Sequence, residues 1–156
     1  DFGVVTGPLE VDSRFDVFSV RKIQDVFVAG EKFHYLRGKK LDYNELSKLP
    51  LICLEGDTST RKYVDSYLEK KKVEVVPEFE LATSDMIVQF AMRNLGIGCV
   101  VEDFAKIQIE SGDLFRLEFK KQIQERDMCL IIDKRSTMSV AASKLKELLE
   151  VEEKQN

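Results

Sequence analysis

Three short polar turns hold the residues best suited to chemistry in this chain: Thr6-Gly7-Pro8, Thr58-Ser59-Thr60 and Thr83-Ser84. Each follows a strand-like apolar run, and the last two open helix-like segments. A helix N-terminus presents unpaired amides and the positive end of the backbone dipole, so it attracts anions. Small hydroxyl side chains add donors without bulk. Turns of this kind suit a small carboxylate, a sulfur oxyanion or a phosphate. The same hydroxyls also suit a plainer task, accepting from the amides of their own helices as caps. Residue types alone leave both tasks open.

Catalysis finds less support. The sequence has no Gly-x-Ser-x-Gly elbow, no Gly-x-x-x-x-Gly-Lys-Ser/Thr loop and no His-Glu-x-x-His pair. Its single histidine, His34, has no cysteine or histidine neighbours, so neither a nucleophilic triad nor a metal-ligand set can be argued from spacing. No cofactor is expected. Glu55, Asp57 and Asp85 are the only acids well placed beside the turns, while Glu152-Glu153 lies on a polar end and reads as solvated. Cys53, Cys99 and Cys129 lie far apart, each in an apolar run, and no Cys-x-x-Cys pair exists. They read as buried free thiols in a reducing cytoplasm.

The elements that would position the turns follow from periodicity. Residues 2–6 form an apolar run of the kind expected of a buried parallel strand. Residues 15–29, rich in Val and Phe, read as one or two strands ended by Gly30. Residues 39–47 suggest a loop and a short helix. Leu51 to Leu54 is a strand, followed by a polar turn and a helix to about Lys71, with Val64, Tyr67, Leu68 and Lys71 on one face. Pro77 to Leu81 is a short strand. Thr83, Ser84 and Asp85 are cap-type residues, and Ile87, Phe90, Ala91 and Leu95 recur at helical spacing. Gly96 stands where a helix would end with positive φ. Ile97 to Val101 is a continuous apolar strand, which makes the unit β-α-β with a polar turn at the carboxyl end of its first strand. Residues 102–110 read as a helix stopped by Gly112, 114–119 as a strand, 120–127 as a polar loop and Met128 to Ile132 as a buried strand. Ser136-Thr137-Met138-Ser139 offers caps for a last helix, in which Ala141, Leu145, Leu148 and Val151 or Glu152 recur. The end, 152–156, is polar and reads as frayed.

Taken in order, these motifs resemble the effector-binding domain of LysR-type transcriptional regulators. Thr6-Gly7-Pro8 is similar to a strand end of that family. Glu55, Thr60 and Arg61 match its Glu-Pro-Gly-Ser-Gly-Thr-Arg turn, and Thr58 keeps the hydroxyl of its serine. Gly56-Asp57 replaces Pro-Gly and Ser59 replaces a glycine, and Asp57 adds a negative charge that a carboxylate ligand would not welcome. Asn94-Leu95-Gly96-Ile97-Gly98 is similar to the family's step from helix to strand. The resemblance implies an α/β, type 2 periplasmic-binding-protein-like fold of two lobes joined by a double crossover. Residues 1–27 plus 131–156 would form an incomplete first lobe, and 28–130 the second. A winged helix-turn-helix is expected upstream.

The function implied is that of a small-molecule effector sensor in a bacterial regulator, not an enzyme. A small, anionic metabolite would lie between the lobes against Thr6, Gly7, Pro8, Thr58, Ser59, Thr60, Thr83 and Ser84. The full-length protein would be a cytoplasmic homo-oligomer that touches DNA only through the upstream domain. In the family, the helix carrying Tyr63, Val64, Tyr67 and Leu68 packs against a partner's first helix. Two alternatives share the fold: a periplasmic solute-binding protein, which would need an export signal, and an α/β enzyme of prephenate-dehydratase-like or deaminase-like type, which would need an acid or base in the cleft.

Bulk properties agree with the sensor. The 156 residues carry a formal charge of −4, with 33% charged and 44% hydrophobic residues, as in a soluble globular protein. Such a chain is ill suited to holding DNA by itself. Lys39-Lys40, Lys70-Lys71-Lys72 and Lys120-Lys121 read as solvated element ends. No apolar run is long enough to span a bilayer, and no basic-then-apolar leader opens the sequence.

Overall fold

The computed structural model describes residues 2–8, 12–135 and 137–153. They form two compact units: Asp1–Ile23 with Glu125–Asn156, and Gln24–Gln124.

The first unit holds β1 (Phe2–Thr6), β2 (Phe15–Ile23), β10 (Arg126–Asp133) and α4 (Val140–Glu153). Its sheet has the order β1-β10-β2 and is antiparallel throughout. Phe2 pairs with Ile132 and Thr6 with Met128, and a bulge interrupts the β10–β2 ladder between Met128 and Cys129. The reading of 2–6 as a buried parallel strand is therefore corrected. β1 is an antiparallel edge strand, half-buried along most of its length, with Val4 exposed. An apolar run is equally compatible with an edge whose inner face alone packs.

Ser139 caps α4: its Oγ accepts from the Ala142 amide at 3.2 Å and its carbonyl from Ser143. Ser136 lies outside the described residues, as do 154–156 and the side chains of Val151 and Glu152. The buried face of α4 is also corrected. Ala142 is buried and Leu149 packs against Val20, Leu130 and Ile132, whereas Leu145 and Leu148 are exposed. The helix is rotated by about one position from the face expected.

The second unit holds a five-stranded sheet in the order β6-β5-β7-β3-β8. Its strands are β3 (Asp25–Ala29), β5 (Leu51–Leu54), β6 (Phe79–Leu81), β7 (Ile97–Val101) and β8 (Phe115–Arg116). β5 runs parallel to β6 and β7, while β3 is antiparallel to β7 and β8. A small parallel ladder joins β4 (Lys40–Leu41) to β9 (Glu118–Phe119), so the expected strand over 114–119 is split between two sheets. Two 3₁₀ turns, Glu31–Leu36 and Tyr43–Lys48, precede β4 and β5 respectively; Asp42 and Glu45 form a reciprocal capping box at the second.

Strand alternation sorts the central side chains onto two faces. Phe27, Ala29, Leu51, Cys53, Ile97 and Cys99 face one way, packed by Val64 and Leu68 of α1 (Ser59–Lys70). Val26, Val28, Ile52, Leu54 and Val100 face the other way, covered by Ile87, Val88 and Ala91 of α2 (Ser84–Met92) and Ala105 of α3 (Glu102–Ser111). With helices on both faces, β3, β5 and β7 can be apolar at every position, as they are apart from Asp25 and Gly98. The three cysteines are free and buried.

Candidate functional site

β5 and β6 are parallel neighbours, so the turns that follow them leave the same sheet edge side by side. A hydrogen bond ties the two together, from the Glu55 amide to the Leu81 carbonyl at 3.1 Å. The first turn opens α1 and the second opens α2, so two helix N-termini meet at one edge. β7, parallel to β5, feeds α3 from the same edge. Thr58-Ser59-Thr60 and Thr83-Ser84 are thus brought together. Thr6, Gly7 and Pro8 belong to the other unit. There Thr6 ends β1, the Gly7 amide donates to the Asp127 carbonyl at 2.7 Å, and the Gly7–Pro8 peptide is cis.

The hydroxyls divide by how fully they are used. Thr58 Oγ1 donates to the Glu55 carbonyl at 3.0 Å and accepts from the Arg61 amide at 3.2 Å. It is a helix cap with both capacities engaged. Thr83 Oγ1 accepts from the Met86 amide at a long 3.4 Å, and its hydrogen meets no acceptor among the described residues. Ser84, half-buried beside it, has no side-chain partner among the described residues. Ser59 and Thr60 both have partners.

Arg61 fixes the geometry of this edge. Its Nη1 donates to the Leu54 carbonyl at 2.8 Å and to Glu80 at 3.0 Å, and its Nε reaches Asp65 at 2.8 Å. One side chain thereby links the end of β5, β6 and the first turns of α1. Burial works against its charge, but the hydrogen bonds to Glu80 and Asp65 outweigh this and hold its pKa above the ordinary arginine value. With Nε and Nη1 engaged by Asp65, Leu54 and Glu80, Arg61 organises the turns. The motif match singled out this residue, but only the folded chain shows what it holds.

The three acids flagged from sequence are all exposed. Asp57 lies fully in solvent, 3.9 Å from Lys62. The helix with Tyr63 and Tyr67 is committed to its own unit: Tyr63 donates to the Gln124 carbonyl at 2.9 Å and Tyr67 to that of Gln122 at 3.1 Å, while Val64 and Leu68 are buried. Among the described residues, no group of three or more His, Cys, Asp or Glu is placed to hold a metal ion. No described helix is long and apolar enough to cross a membrane.

Comparison with known proteins bears on this arrangement. The family model of the LysR substrate binding domain matches residues 1–152. No curated protein sequence matches the chain. Among solved structures, the chain is similar to the Synechocystis CcmR regulatory domain in complex with 2-PG, at 20% identity and a TM-score of 0.83, covering 97% of this chain and 72% of that one. The effector binding domain of QuiR in complex with shikimate matches at 16% identity and a TM-score of 0.79, over 99% and 72% of the two chains. The CrgA regulatory domain of Neisseria meningitidis, a LysR-type transcriptional regulator, matches at 14% identity and a TM-score of 0.70, over 99% and 74%. At these identities the likeness shows a shared fold, that of the type 2 periplasmic-binding-protein-like regulatory domains.

Proposed function

The chain belongs to the LysR substrate binding domain family, and on that premise we propose that it senses a small anionic metabolite for a bacterial transcription regulator, gripping it at the paired turns after β5 and β6. The observation that carries this reading is the meeting of two helix N-termini at one sheet edge, joined through Glu55 and Leu81. Thr83 and Ser84 are the hydroxyls with donors to spare, and they are the proposed primary contacts. Thr58, Ser59 and Thr60 shape the neighbouring turn. Thr6, Gly7 and Pro8 stay in the proposal on the strength of the sequence resemblance alone. Two similar domains are described in complex with 2-PG and with shikimate, which supports a small effector as the ligand class.

The domain is proposed to act by binding, without turnover, in a cytoplasmic homo-oligomer whose DNA contacts come from another domain. Binding would favour one domain arrangement over another and so alter the hold on DNA. An enzyme reading would need an acid or base that burial has retuned. Glu55, Asp57 and Asp85 are instead exposed.

Calorimetric titration of the chain with 2-PG, shikimate and a panel of small carboxylates and phosphates tests the reading. At least one anion should bind, and Thr83→Val should weaken it about tenfold or more, the worth of a hydrogen bond to a charged group, with the circular dichroism spectrum unchanged. If no anion binds, or if Thr83→Val leaves the affinity as it was, the assignment of this edge fails.

A further inference from the structure

A concave site lies in the same unit, at the far end of α1. It has a volume of about 300 Å³, and its lining includes Asp42, Tyr43 and four lysines, Lys70, Lys71, Lys120 and Lys121. We propose that this cavity binds a compact phosphorylated polyanion. The 12 residues of α1 span about 18 Å, so the site is separate from the turns at the helix N-terminus.

The lining is strongly basic. Four lysines converge against a single aspartate, in a chain whose formal charge is −4. That aspartate is already committed: Asp42 accepts from Lys120 Nζ at 2.7 Å and belongs to the capping box of its own turn. Lys70 and Lys121 meet no carboxylate among the described residues. Lys71 rests over the rings of Tyr67 and Tyr43, at 5.2 and 6.0 Å from their centroids. A helix C-terminus favours lysines in its last turn, which accounts for Lys70 and Lys71. It does not account for Lys120 and Lys121, which arrive from another loop fifty residues along the chain.

The loop that carries Lys120 and Lys121 is fixed in place. The Lys120 amide donates to the Leu41 carbonyl at 3.1 Å, extending the β4–β9 ladder. Tyr67 and Tyr63 pin the carbonyls of Gln122 and Gln124 against α1. Below, Tyr43 stacks flat on Phe119 with ring centroids 4.2 Å apart. The lysines are therefore presented by a braced backbone, and their convergence does not depend on loose loops meeting by chance.

The ligand class follows from the donor type. Lysine ammonium groups are point charges with three rotatable donors, suited to tetrahedral phosphate oxygens. The planar fork of arginine, which matches carboxylates in bidentate fashion, is absent from the lining.

The test is calorimetric titration of the 156-residue chain with inorganic tripolyphosphate at low salt, with citrate as the carboxylate counterpart. Tripolyphosphate should bind with a Kd below about 100 µM, and more tightly than citrate. The double substitution K70Q/K121Q, which breaks no observed contact, should weaken it about tenfold or more. K62Q, an exposed lysine near the start of α1, should leave it unchanged. Absence of binding, equal affinity for citrate, K70Q/K121Q binding as tightly as the parent, or equal loss in K62Q would each overturn the proposal.

Discussion

Single residues decide several local outcomes. Gly96 does not take positive φ; Asn94 does, at φ 60°, while its side-chain Oδ1 accepts from the Lys32 amide at 2.8 Å. Asparagine tolerates that conformation better than most residues. Gly96 is needed for space instead, because an added Cβ would lie 2.5 Å from the Pro50 carbonyl oxygen. That neighbour is backbone, bonded to the Ile97 amide at 2.8 Å, and cannot rotate away. Gly96→Ala should therefore destabilise the protein by about 1–3 kcal/mol, read as a lower urea midpoint. A midpoint equal to that of the parent would show that the strand yields.

Asp133 offers a test of pH dependence at the same scale. Its carboxylate accepts from the side chain of Arg135 at 3.0 and 3.1 Å and from the Arg135 amide at 2.9 Å. These bonds lower its pKa from 3.8 to about 2. A depressed folded value means that the interaction stabilises the fold above the unfolded pKa and is lost as pH falls through about 2. An NMR titration of the Asp133 carboxyl should give that midpoint, and Arg135→Gln should return it toward 3.8.

At the scale of elements, α1 is held by its cap and by its buried face. Thr58→Ala removes both hydroxyl bonds and should cost about 1 kcal/mol, with Thr58→Ser restoring most of it. Because Thr58 is fully engaged as a cap, its loss should act on stability more than on effector affinity, the reverse of Thr83→Val. The side chain of Leu68 is almost wholly inaccessible beneath the helix, so Leu68→Ala should cost about 2–5 kcal/mol. Chemical denaturation paired with calorimetry separates the two kinds of effect. The start of α1 was legible in the sequence, since a threonine followed by a helical pattern is a local signal. Its packing was legible in part: the heptad-like spacing marked Val64 and Leu68, but the tyrosine hydroxyls turn to carbonyls some sixty residues away, which no local pattern encodes.

The whole molecule is uneven in its cores. The unit Gln24–Gln124 contains both large apolar clusters, one on each face of its sheet. Its two ends are also tied internally: Gln24 donates from Nε2 to the Ile123 carbonyl at 3.0 Å and accepts the Glu102 amide at 2.9 Å. A fragment of residues 24–124 should therefore fold alone, with a dispersed NMR spectrum and one cooperative melt; a broad transition with dye-binding apolar surface would count against it. In the other unit, among the described residues, the buried cluster consists of Val20, Leu130 and Ile132. Amides of β1, β2 and β10 should then exchange with solvent sooner than those of β5 and β7, as hydrogen exchange would measure.

The sequence by itself determined most of the strands and helices, the short polar stretches from which the caps of α1, α2 and α4 are drawn, and the family to which that order belongs. These depend on neighbouring residues, whose side-chain oxygens and apolar spacing act within a turn or two. Only the tertiary structure decided that the turns after β5 and β6 lie side by side, that β1 is an antiparallel edge, that α4 buries Ala142 and Leu149, and that Lys70 and Lys121 face one cavity. An apolar run can pair in either direction with any neighbour of matching pattern. Which neighbour it takes is set by how all the strands and helices cover one another, a condition no single segment carries.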